Sequence, residues 1–160
     1  MVKKSGSLFI IGFFIILFSH IITSIISLLF ARYLSTHLTF DQLKTATSLL
    51  SSQIMRLVNW TIITIGFVFA GYFVSKGTKS GGWIHGSVLG IIWFIFVCLV
   101  SFLPFLLPKE LIYGPKIPTY IIEQELINVI SNMPSILIKT LFLTTTGGLL
   151  RQLLSKKFRS

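Results

Sequence analysis

Acidic side chains are scarce in this chain: Asp and Glu number 4 among 160 residues, against 14 Lys and Arg. Asp41, Glu110, Glu123 and Glu125 all lie outside the long apolar runs, so no carboxylate pair stands at membrane depth for acid–base chemistry. Cysteine is reduced to Cys98, set inside an apolar run. A single cysteine excludes an intrachain disulfide, and with no second one and no His-x-x-x-His there is no metal-ligand spacing. Also missing are a nucleophile with a base at recognisable spacing and a glycine-rich phosphate loop after a strand. The chain therefore reads as a non-enzyme with no cofactor. Charged residues make up 11% of it, where soluble domains carry about 25%.

What the chain has instead is apolar surface, with 53% hydrophobic residues and a mean hydropathy of +0.87. Residues 8–31, 57–75 and 81–108 contain no Asp, Glu, Lys or Arg. Each run reaches the roughly 18–20 residues that carry a helix across about 30 Å of hydrocarbon. The first follows Lys3 and Lys4 but is longer than a signal-peptide core and lacks a cleavage pattern, so it is read as a retained helix. A fourth, weaker run spans 134–154, with Lys139 near its start where a long side chain reaches the nearer interface. The expected fold class is an all-α polytopic membrane protein in a single domain, 1–160. Its four transmembrane helices, at 8–32, 57–75, 82–106 and 134–154, form two antiparallel hairpins.

Between the spans, residues 39–56 are weakly amphipathic, either a membrane-surface helix or a solvated extension of the second span. Residues 118–130 form a second short helix, with Pro118 in its first turn and Glu123 and Glu125 facing water. The net charge of +10 does not suggest nucleic acid, because the basic residues sit at helix ends and in loops. Their expected partner is the anionic headgroup layer, worth about 1 kcal/mol per juxtamembrane cation. With a cytoplasmic amino terminus the inner side holds Lys3, Lys4, Lys76, Lys79, Arg151, Lys156, Lys157 and Arg159. All four acids and the sparser basic residues then fall outside. This bias places both termini in the cytoplasm of a cell-membrane protein.

Inside lipid, tails are as apolar as leucine, so helices associate through close backbone contact and interhelical hydrogen bonds. Gly82, Gly86 and Gly90 repeat at every fourth position of the third span, and Gly66 and Ala70, with Gly71 beside them, repeat the spacing in the second. A short turn joins the two helices, so these small faces are expected to pack on each other. Trp83 and His85 fall at the inner interface, where amphipathic rings are stable. His85 is read as a boundary histidine bonded to a headgroup, a backbone carbonyl or the second span. In the first span, His20, Ser24 and Ser27 share a helical face, with Thr23 beside them, and form a candidate polar site within the membrane.

Residues 66–93, "GFVFAGYFVSKGTKSGGWIHGSVLGIIW", resemble the signature of the small YrzE-type four-helix membrane proteins of Gram-positive bacteria. There a glycine-rich second helix ends in a basic turn, a "KGW.HG...G" start opens the third, and the last helix carries a glycine pair, here Gly147 and Gly148. The chain departs from that pattern in its longer proline-bearing outer loop and in Trp93, where tyrosine is more usual. The resemblance implies a plasma-membrane location and a four-helix fold, and it transfers no catalytic or binding residue. Two roles are then expected. The first is a non-catalytic accessory component that packs through its small faces with itself or a membrane partner. The alternative is a small oligomeric transporter or channel lined by His20, Thr23, Ser24 and Ser27.

Overall fold

The computed structural model describes residues 3–37, 50–77, 81–107 and 119–157. They form four α-helices: α1 (Lys3–His37), α2 (Leu50–Val74), α3 (Gly82–Leu106) and α4 (Thr119–Lys157). One 3-10 turn, Ser75–Gly77, closes α2. All four helices are long and apolar enough to cross a membrane, and no strand occurs among the described residues. A lipid solvent explains this economy, since a helix satisfies its backbone polar groups within itself. The chain is an all-α, multi-pass membrane protein.

Sequence neighbours pack antiparallel. On α1 and α2, Gly12 meets Val74, Ser19 meets Gly66, and Ser27 meets Asn59. On α3 and α4, Gly82 meets Gly148, Ser87 meets Thr145, and Cys98 meets Met133. Parallel to α2, α4 also lies against it, through Gly147 at Val68 and Lys139 at Trp60. The order across the bundle is therefore α1, α2, α4, α3, and α1 reaches α3 mainly through side chains.

Three boundaries differ from expectation. The residues around 118–130 are not a separate helix, because from Thr119 the chain runs unbroken through Pro134 to Lys157. Proline within a membrane helix is tolerated where nearby side chains and neighbours take up the disturbed backbone groups. The ring leaves the Ile130 carbonyl without its backbone donor, and Ser131 and Asn132 donate to the Asn128 carbonyl, six residues before the ring, at 3.0 and 2.8 Å. Second, α2 begins at Leu50, so residues 50–56 extend the second span; residues 39–49 lie outside the described residues. Third, α1 runs past both ends of 8–32.

Candidate functional site

Two seams of opposite character meet in the bundle. The first is built from small residues, at which a side chain would collide with the next helix. A Cβ on Gly71 or Gly86 would overlap the Thr144 carbonyl, one on Gly147 the Val68 carbonyl, and one on Gly148 the Gly82 carbonyl. At Gly82 the Gly148 carbonyl oxygen would stand 2.6 Å away, and at Gly90 the Thr144 hydroxyl 2.6 Å away. Gly66 faces Ser19 of α1, and Ala70 is fully buried in the core. Polar bonds lock this seam: the Ser75 hydroxyl lies 2.8 Å from the Gly71 carbonyl and 2.7 Å from that of Gly82, and Ser87 lies 2.8 Å from Thr145.

This corrects the expected partner of the Gly82, Gly86, Gly90 ladder. It seats α4, not the Gly66, Ala70 face of α2. Spacing marks a face for close approach but not which helix takes it, and the threonine and glycine run 144–148 is narrow toward both α2 and α3. The small faces are thus filled by helices of the same chain.

The second seam, between α1 and α3, is aromatic. Phe13 packs against Trp93 and Phe96, with ring centroids 5.2 and 5.0 Å apart. His20 stacks on Trp93 at 5.2 Å with 10° between planes, and Phe67 of α2 meets both rings edge-on at 6.0 Å. Such pairs contribute about 0.5–1.5 kcal/mol each beyond area. Large rings hold the backbones apart where glycines draw them together elsewhere.

Between the seams lies a cavity of about 270 Å³, lined by His20, Trp60, Ile63, Phe67, Trp93, Val97, Ile136, Lys139, Thr140 and Leu143. All four helices contribute, mostly from their middles. His20 is central in the apolar stretch Gly6–Leu34, Trp93 in Gly82–Leu106 and Lys139 in Tyr120–Ser155. The expectation that Lys139 sits near an interface is corrected here: with α4 starting at Thr119, it falls deep in the helix, beside the Gly90 level of α3. A lysine at bilayer depth costs about 2.5–3.5 kcal/mol. Its ammonium lies 4.6 Å over the Trp60 ring, a contact worth up to about 2 kcal/mol when desolvated. Part of the cost is left over. The His20 Nε2 is enclosed with no hydrogen-bond partner, and an unmatched polar atom costs about 1–3 kcal/mol. A wall this apolar carries two polar groups whose demands the fold meets only in part.

The hydroxyls expected beside His20 do not join it at the cavity. Thr23 is buried and donates to the Ser19 carbonyl, Ser24 is exposed and donates to the His20 carbonyl, and Ser27 accepts from the Asn59 amide at 3.0 Å. Of the interface pair, Trp83 is 47% exposed, consistent with headgroup depth, while His85 is half-buried. Its Nδ1 lies 3.2 Å from the Gly81 carbonyl and its ring stacks on Phe9 at 6.0 Å. Sequence reading missed Trp60, Trp93, Lys139 and Thr140 as a group. The available signal was a lone lysine within an apolar stretch, which marks function once its depth is known. Comparison of the chain with protein-family models, with curated proteins and with solved structures finds no match in any of the three.

Proposed function

We propose that this protein is a non-catalytic component of the plasma membrane, of the YrzE type, that holds a small apolar-bodied molecule in the cavity between its helices. One observation carries the reading: four helix middles converge on an aromatic-walled space that includes a lysine and a histidine. Ionisable groups at that depth are costly and mark binding sites and pathways. Concave, largely apolar pockets with a few polar groups are the usual form of a small-molecule site. Cytoplasmic termini are supported by the basic residues gathered at the two ends and in the turn between α2 and α3. Assembly with copies or partners, if it accompanies this role, has to use the lipid-facing leucines and isoleucines, because the small faces are already occupied.

Trp93, only 4% exposed, reports on the cavity. The double variant Trp60→Phe, Trp83→Phe leaves it as the sole tryptophan. In phospholipid vesicles, brominated stearyl alcohol is expected to quench its fluorescence by entering the cavity. A companion variant that keeps only Trp83 measures quenching from outside the bundle. If every brominated chain quenches Trp83 and none quenches Trp93, the proposal fails.

A further inference from the structure

We infer that the ligand is a single-chain amphiphile ending in a carboxylate, with the carboxylate at Lys139 and the chain against Trp60, Phe67 and Trp93. The inference rests on the cavity being a binding site, and it adds the ligand's charge and shape. The charge follows from what faces the space. Lys139 presents an ammonium over the Trp60 ring and His20 supplies an imidazole, while no carboxylate lines the cavity. The nearest acid along α4, Glu125, lies fourteen residues from Lys139, about 21 Å along a helix. An anion is therefore the complement the site lacks. A lysine beside carboxylate oxygens makes charge-assisted hydrogen bonds, stronger than neutral ones.

The shape follows from the volume and the walls. About 270 Å³ falls just below the roughly 300 Å³ at which pockets for drug-sized ligands begin. That space suits one chain end with its headgroup and not a two-chain lipid. Gln53, Arg56 and Leu57 line a cleft of about 200 Å³ that shares Trp60 as a wall with the cavity. Arg56 and Trp60 are four residues apart, so they stand on one helix face. Arg56, Trp60 and Lys139 thus follow one another from the helix end inward: a cation, a ring and a second cation.

The test uses the Trp93-only protein, in which Trp60→Phe keeps an aromatic ring beside Lys139, in vesicles of phosphatidylethanolamine and phosphatidylglycerol, with three brominated quenchers: stearate, stearyl alcohol and phosphatidylglycerol. Dibromostearate is expected to half-quench Trp93 at a mole fraction about tenfold lower than the alcohol, the ratio that one charge-assisted contact supplies. Lys139→Met should abolish that preference and Lys139→Arg should retain it. Because Lys139→Met removes a charge from membrane depth, it is expected to fold. Equal quenching by stearate and alcohol in the parent protein would overturn the carboxylate assignment and leave the cavity reading standing. Stronger quenching by brominated phosphatidylglycerol than by stearate would overturn it in favour of a two-chain phosphate lipid. No quenching of Trp93 by any of the three would overturn both.

Discussion

Adding one methyl group tests whether the glycine seam holds α3 to α4. At Gly86 a Cβ would overlap the Thr144 carbonyl oxygen and come within 3.1 Å of the Thr145 Cα. Non-bonded carbons rest about 3.5–4.0 Å apart, so Gly86→Ala obliges the helices to part or slide by a sizeable fraction of an ångström. Overpacking of this kind costs about 1–3 kcal/mol. Parting also stretches the 2.8 Å bond between Ser87 and Thr145, and interhelical bonds in membranes contribute about 0.6–1.7 kcal/mol. Against this, alanine is preferred to glycine within a helix by up to about 1 kcal/mol. The balance is a loss of about 1–3 kcal/mol. Gly6→Ala is the control, since nothing lies within 4 Å of its added methyl, so only the small propensity gain remains and the sign reverses. Titration of detergent micelles with sodium dodecyl sulfate reads the difference, with Cys98 as reporter. Its sulfur lies 3.5 Å from that of Met133 across the α3–α4 contact, so it becomes reactive to a thiol reagent as the pair opens. A Gly86→Ala midpoint equal to or above that of Gly6→Ala would refute the account of the seam.

Three further outcomes are expected. In a double-mutant cycle of Ser27→Ala and Asn59→Ala, unfolding should show a coupling of about 0.6–1.7 kcal/mol, because the two side chains bond at 3.0 Å between α1 and α2; purely additive losses would contradict that bond. Trp93→Ala should cost about 3–5 kcal/mol in the same titration by emptying the centre of the aromatic seam. Trp83→Ala, at a 47% exposed position, should cost under about 1 kcal/mol, and similar losses at both tryptophans would argue against the seam. With Cys98→Ser as background, a membrane-impermeant maleimide applied to intact cells should label Gln42→Cys and leave Ser160→Cys unlabelled; the reverse pattern would invert the orientation.

Much of the fold was legible because lipid makes a simple demand. Three runs free of charge, and a fourth that carries Lys139 and Arg151, become four helices that satisfy their own backbones. What the sequence did not disclose was how far each helix extends and which one it touches. Pro134 reads as a helix start, yet the chain passes through it, and that single difference moves Lys139 from a membrane edge to the depth of His20 and Trp93. The glycine ladder reads as a face for the helix next in sequence, since a short turn joins α2 to α3. The ladder turns instead to α4, as does Gly71 of α2, while Gly66 faces α1; Thr144, Gly147 and Gly148 let two backbones approach α4 from two sides. Once α4 is wedged between α2 and α3, α1 finds its close seat on α2, at Gly66 and at its own Gly12, and meets α3 through side chains, Leu89 reaching Gly12 and the rings following beyond it. The gap on that side is spanned by Phe13, His20, Trp93 and Phe96, whose rings cannot fill it down to the level of α4. The cavity is thus a consequence of where the small residues lie: drawing α4 tightly to two neighbours leaves the opposite side of the bundle propped open at mid-membrane, and the exposed Lys139 of α4 lies on its wall.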